Sequence, residues 1–88
     1  MNFYVYLLIS INTVKPISYV GYTSNLSKRL ELHNNCKGAK FTKGRKWKLI
    51  FSKKYNSKNK AMTEEYKLKK DRNERTRLIN DFKKNKRS

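Results

Sequence analysis

Two tyrosines, an arginine and a glutamate form the set of side chains in this sequence with the most evident chemical use. Tyr6 and Tyr19 are thirteen residues apart, Arg29 follows ten residues later, and Glu65 stands far downstream. Phenolic hydroxyls can orient or activate a water, a guanidinium can bind a phosphate bidentately, and a carboxylate can ligate a hard divalent cation. Together they are the parts that a small enzyme needs to hydrolyse a phosphodiester with one metal ion.

The two tyrosines are predicted to lie on neighbouring strands. Phe3–Ile9 is aromatic and β-branched, and Ile17–Tyr22 reads as a second strand after a polar loop. Side chains alternate between the two faces of a strand, so Tyr6 shares one face with Tyr4 and Leu8. A single strand tyrosine usually serves packing. The joint placement of two, before a helix that carries an arginine, favours a chemical role.

Arg29 and His33 are predicted to lie one turn apart on a helix. Thr23-Ser24-Asn25 offers capping residues, and the helix is expected to run to about Asn34. Residues four apart face the same side, so the two side chains are neighbours. His33 is a candidate proton acceptor or water-orienting group. The alternatives are a solvated arginine and a half-buried histidine that ends an apolar stripe.

Glu65 is the carboxylate best placed to bind a metal. A helix is predicted from a Ser57 cap to about Lys70, and on it Glu65 falls on the stripe formed by Ala61, Met62 and Leu68. An inward carboxylate is costly unless it is paired or binds a cation. One carboxylate, waters and a substrate phosphate suit Mg²⁺, or Mn²⁺ in its place. The alternative is an ion pair with Arg29 or a nearby lysine.

The remaining elements complete a small α/β fold. Trp47, Leu49 and Phe51 alternate with other residues as in a third strand, and Leu78, Ile79 and Phe82 predict a short amphipathic helix near the C-terminus. We expect one small domain, a three-stranded antiparallel or mixed β-sheet flanked by helices. Residues 1–72 would form the catalytic unit, and residues 73–88 a basic helix with a frayed tail.

Composition points to a polyanionic partner. The chain has 88 residues and a net charge of +17, from 23 Lys and Arg against 6 Asp and Glu. Such a field favours nucleic acid, and the longest apolar run, Val5–Ile9, is far shorter than the roughly 20 residues of a membrane span. One cysteine excludes an intramolecular disulfide, and no basic leader segment precedes the first strand. We therefore expect the cytoplasm or the nucleus.

A basic, glycine-containing loop between the first helix and the third strand is predicted to contact the DNA backbone. Its small residues permit close approach, and cations are interleaved with one aromatic side chain. It lacks the ending of a phosphate-binding P-loop. The expected contact residues are Lys37, Lys40, Thr42, Lys43 and Arg45.

The order of short motifs resembles that of the GIY-YIG endonuclease family. The motifs are Tyr4-Val5-Tyr6, Tyr19-Val20-Gly21, Lys28-Arg29-Leu30, His33-Asn34, Gly38-Ala39-Lys40 and Ala61-Met62-x-x-Glu65-Tyr66. The chain looks most like small stand-alone members, and like the nuclease domain of flap and junction endonucleases. It departs from the family at Tyr4, which replaces a glycine, and at two valines that replace isoleucines.

The resemblance implies an antiparallel three-stranded sheet and one-metal cleavage of DNA. It assigns Tyr6 and Tyr19 to the attacking water, Arg29 to the phosphate and Glu65 to the metal, and it includes His33 in the site. It further implies an endonuclease for branched or otherwise structured DNA, in repair or recombination. Selectivity would come from a protein partner or from the basic C-terminal segment. A non-catalytic nucleic-acid-binding module and a nuclease subunit that depends on a partner remain as alternatives.

Overall fold

Three strands and three helices follow the predicted order along the chain. A computed structural model describes residues 2–35 and 42–86. Its elements are β1 (Phe3–Ser10), β2 (Ser18–Thr23), α1 (Leu26–Asn34), β3 (Trp47–Tyr55), α2 (Lys58–Lys70) and α3 (Arg72–Lys86). The predicted α/β class is confirmed.

The sheet is antiparallel throughout, with strand order β2-β1-β3. The central strand is β1, which explains why it is the most apolar stretch of the chain and why Val5–Ile9 is buried. Leu8 stands opposite Tyr19, and Tyr6 stands opposite Gly21. Residues directly opposite in an antiparallel pair share a face of the sheet. The register therefore places Tyr6 and Tyr19 on neighbouring strands, as predicted, and on one face of the sheet.

A bulge changes the register between β1 and β3. Leu8 pairs with Leu49, whereas Leu7 pairs with Phe51, so Ile50 is an extra residue on β3. Leu49 therefore lies on the Tyr6 face, and Phe51 packs on the opposite face with Leu7. The expectation that Phe51 continues the alternation of Trp47 and Leu49 is wrong, because the extra residue inverts the faces beyond it.

The two faces of the sheet bear different helices. Leu26 and Leu30 of α1 pack against Tyr6, Leu8 and Trp47. On the other face, residues of α2 and α3 cover the core: Ala61 and Leu68, with Leu78 and Ile79 packed against the same cluster. The α1 face is thus the one that receives both tyrosines.

Side chains cap the helices where the sequence predicts it. The Asn25 side chain accepts a hydrogen bond from the backbone N–H of Lys28, and Ser57 accepts one from Lys60. The third helix is longer than expected. Asp71 Oδ1 accepts from the Glu74 N–H, and α3 runs to Lys86, so Lys83–Lys86 is helical where the sequence predicted fraying. Among the described helices, none combines the length and apolar character needed to cross a bilayer.

Candidate active site

Tyr6 lies in the interior with its ring laid across the backbone of β2. The residue is 1% exposed. A Cβ atom built on Gly21 would overlap the Tyr6 hydroxyl oxygen and come within 2.5 Å of the ring carbon that bears it. Glycine is therefore required at Gly21 by a close approach.

The Tyr6 hydroxyl lies against a buried histidine. Its oxygen is 2.9 Å from Nε2 of His33, which is 0% exposed. The other ring nitrogen, Nδ1, is 2.9 Å from the hydroxyl oxygen of Thr42. Tyr6, His33 and Thr42 form a continuous buried chain of polar groups, which we call the buried relay. His33 is more deeply buried than the half-buried position considered from the sequence.

Thr42 enters the relay from the turn that precedes β3. Its side chain is 0% exposed, and its carbonyl accepts a hydrogen bond of 3.0 Å from Nε1 of Trp47. The prediction that Thr42 contacts DNA is wrong, because its hydroxyl bonds His33 inside the protein. Of the other predicted contact residues, Lys43 is exposed and Arg45 half-buried, while Lys37 and Lys40 lie outside the described residues.

Tyr19 completes an aromatic cluster around His33. The ring centroids of Tyr19 and His33 are 5.1 Å apart in an edge-on arrangement, and those of Tyr6 and Tyr19 are 6.5 Å apart. The ring centroid of Trp47 lies 6.2 Å from that of Tyr19. Tyr19 is half-buried, so it is the more accessible of the two tyrosines.

Arg29 brings positive charge to this cluster from α1. Burial raises the pKa of Tyr6, and the neighbouring Arg29 guanidinium opposes that rise by hydrogen bonding and by its charge. Burial also lowers the pKa of His33, and the Arg29 charge lowers it further. His33 is therefore neutral and Tyr6 protonated near neutral pH.

The Arg29 guanidinium also holds an unused donor. Within the described part of the chain, its Nε is buried and has no hydrogen-bond partner. An unsatisfied buried donor on a cation is costly, and it calls for an explanation such as a ligand. A phosphate oxygen is the acceptor that fits a guanidinium best.

Glu65 lies on α2 and is largely shielded from solvent. Its side chain is 16% exposed, and Oε1 is 3.7 Å from Nζ of Lys69 one turn on. Of its predicted stripe, Ala61 and Leu68 are buried, but Met62 is 44% exposed, so Met62 does not belong to it. The ion pair between Glu65 and a nearby lysine, which the sequence left as an alternative, is present with Lys69.

Glu65 is the residue that could hold a metal. Its charge contributes to raising the pKa of Tyr6, so the carboxylate lies within electrostatic reach of the tyrosine. Within residues 2–35 and 42–86, no three His, Cys, Asp or Glu side chains gather in one place. A single shielded carboxylate with one weakly paired lysine fits a cation that keeps most of its waters, as Mg²⁺ does.

Two features of the site were not predicted from the sequence. Thr42 is nine residues beyond His33, and no periodicity links such positions. Lys69 is four residues beyond Glu65, so helical spacing could have identified it among the nearby lysines considered.

This chain is similar to one family model and to several known proteins. The model of the GIY-YIG catalytic domain matches residues 2–86. The UPF0213 protein OB0043 of Oceanobacillus iheyensis is 46% identical over 63 residues, covering 69% of this chain and 73% of its own. The UPF0213 protein YazA of Bacillus subtilis is 43% identical over 68 residues, covering 76% and 69% respectively.

A solved structure shares the fold. The solution NMR structure of the UPF0213 protein BH0048 from Bacillus halodurans aligns with a TM-score of 0.53 and 35% identity, over 91% of this chain and 84% of that one. Since the family match takes in every strand and helix described above, this chain belongs to the GIY-YIG family.

Proposed function

We propose that this protein is a divalent-metal-dependent endonuclease that hydrolyses phosphodiester bonds in branched or otherwise structured DNA. Its GIY-YIG domain implies DNA endonuclease activity. The names of the relatives specify no substrate. The observation that carries the proposal is the position of Arg29 near Tyr6, with a buried Nε that has no hydrogen-bond partner among the residues that the structure describes.

In the proposed reaction, Arg29 binds the scissile phosphate and stabilises the charge that develops on it. Tyr6 passes its hydroxyl proton to Nε2 of neutral His33 while its oxygen takes a proton from the attacking water. The resulting hydroxide attacks phosphorus, and the sugar oxygen leaves. Tyr19, half-buried at the edge of the cluster, orients that water.

Glu65 would hold Mg²⁺ or Mn²⁺, which would neutralise charge on the phosphate and the leaving oxygen. The lysine beside it is no obstacle, because a pair at 3.7 Å with Lys69 58% exposed is weak and solvent-screened. The Lys69 side chain can move into solvent when the cation binds.

The high positive charge supports DNA as the substrate. A net charge of +17 would by itself serve a non-catalytic binding module, which is the competing function. The buried relay argues against that alternative. A binding surface gains nothing from a neutral histidine and a phenol desolvated in the core, and such polar groups are costly there unless they are fully satisfied.

Selectivity for DNA structure would come from a protein partner or from the basic C-terminal segment. A substrate of branched or otherwise structured DNA suggests a role in repair or recombination. The protein would meet that DNA in the cytoplasm or the nucleus.

The test is cleavage of end-labelled DNA. Flap, hairpin, nicked, four-way and linear duplex substrates are incubated with the protein in Mg²⁺ and, in parallel, in EDTA. We expect cutting in Mg²⁺ alone, with structured DNA cut before linear duplex. Tight binding of all five substrates without cutting, in Mg²⁺ and in Mn²⁺, would favour the binding module.

A further inference from the structure

We infer that Thr42 is a positioning residue: its buried hydroxyl accepts the Nδ1–H of His33 and thereby turns the bare Nε2 of the imidazole toward the Tyr6 hydroxyl. This inference rests on the proposed function for its catalytic meaning. Thr42 touches neither DNA nor the attacking water in the proposed reaction and acts through His33.

The direction of the hydrogen bonds follows from the donors around Tyr6. The Arg29 guanidinium carries donors only, and its positive charge near Tyr6 favours a hydroxyl whose oxygen faces Arg29 and whose proton points elsewhere. The hydroxyl proton of Tyr6 then needs an acceptor, and His33 Nε2 lies 2.9 Å away. Neutral imidazole has one protonated and one bare nitrogen. With Nε2 as the acceptor, Nδ1 carries the proton and donates it to Thr42 Oγ1, also at 2.9 Å.

The turn that bears Thr42 is held firmly enough to orient a ring. Trp47 Nε1 donates to the Thr42 carbonyl, and the Trp47 backbone is itself clamped by the amide side chain of Asn34. In that clamp, the Trp47 N–H donates to Asn34 Oδ1 at 2.6 Å, while Asn34 Nδ2 donates to the Trp47 carbonyl at 3.2 Å. Asn34 follows His33 directly on α1, so helix and turn are tied together next to the imidazole.

The consequence is a fixed protonation pattern. Without a partner at Nδ1, the ring could carry its proton on Nε2 and present a donor to Tyr6. That tautomer could not take the phenolic proton, and the proposed reaction would stall. Among residues 2–35 and 42–86, the charged and titratable groups identified around the ring are Tyr6 from β1, Tyr19 from β2 and Arg29 from α1. Each is a poorer partner for Nδ1 than the hydroxyl already in contact with it.

The first readout is the tautomer, which does not depend on activity. The chain contains one histidine, so nitrogen NMR of the imidazole is free of overlap. We compare the wild type with Thr42→Val, which keeps the shape and removes the hydroxyl, and Thr42→Ser, which keeps the hydroxyl. We expect the Nδ1–H form in the wild type and in Thr42→Ser, and a mixture or the Nε2–H form in Thr42→Val. An Nε2–H tautomer in the wild type would overturn the inference.

The second readout is turnover at saturating DNA. Loss of the group that orients a histidine typically costs about 10- to 100-fold in activity at metal sites, and we expect a loss of that order in Thr42→Val with unchanged KM. Thr42→Ser should retain most of the rate. Equal rates in the two variants would overturn the catalytic role of Thr42. A wild type that cuts no DNA but shows the Nδ1–H tautomer would overturn the nuclease proposal and leave the positioning of His33 standing.

Discussion

Replacement of Tyr6 by phenylalanine removes one oxygen and separates the two roles of this residue. The ring that lies across Gly21 is preserved, so packing area is kept. The bond to His33 Nε2 is lost, and that nitrogen is left in a fully buried site. A buried acceptor without its partner costs about 1–3 kcal/mol. For a domain of this size each kcal/mol lowers Tm by roughly 4–8 °C, so we expect a Tm lower by roughly 4–24 °C.

Catalysis should fall much further than stability. If Tyr6 relays a proton, its loss removes an acid–base contribution of roughly 10²–10⁴-fold in rate. The assay is single-turnover cleavage of labelled DNA at a temperature well below the lower Tm, with thermal unfolding followed by circular dichroism. Tyr19→Phe is the matched control for stability. Because Tyr19 is half-buried, we expect its Tm to fall less than that of Tyr6→Phe. A Tyr6→Phe protein that cuts like the wild type would refute the assignment of Tyr6 to the reaction.

Three further changes test other parts of the site. Arg29→Ala should reduce turnover by at least ~10²-fold. Its DNA affinity, measured by fluorescence anisotropy, should change little because many cations remain. Normal cutting with weak binding would show that Arg29 only contacts the DNA backbone. Gly21→Ala should lower Tm and abolish cutting together, since the new methyl group overlaps Tyr6, and a stable, active variant would mean that the ring does not lie there. Removal of residues 83–88 should flatten the salt dependence of binding, by about 0.9 in the log–log slope for each lost phosphate contact, and leave turnover at saturation unchanged; an unchanged slope would show that the segment makes no contact with DNA.

Much of the fold follows from local rules that the sequence obeys. Alternation along β1 assigns Tyr6 and Leu8 to one face, and the caps at Asn25 and Ser57 begin their helices where expected. These features depend on a few adjacent residues. The convergence of Tyr6 and Tyr19 depends, in addition, only on the register of the hairpin formed by β1 and β2. It could therefore also be predicted from the sequence.

The features that sequence could not supply depend on contacts between distant segments. The bulge at Ile50 places Phe51 on the face opposite Leu49. The position of the extra residue depends on how β3 pairs with β1, and no local sequence signal predicts it. Thr42 reads as part of a basic loop, but the fold directs its hydroxyl inward to His33. The extension of α3 to Lys86 was not predicted because the sequence after Phe82 is basic and offers no apolar residue to anchor a helix.

The measurement that tests the central claim most directly is cleavage of flap DNA as a function of Mg²⁺ concentration by three proteins: wild type, Glu65→Gln and Glu64→Gln. Glu64 is the matched control, because it lies next in sequence and forms its own ion pair with Lys67 at 3.1 Å. We predict metal-dependent cutting by the wild type and Glu64→Gln, and nearly none by Glu65→Gln at any Mg²⁺ concentration, with fold and DNA binding retained. Near wild-type cutting by Glu65→Gln, or cutting by the wild type in EDTA, would contradict a metal-dependent active site built on Glu65.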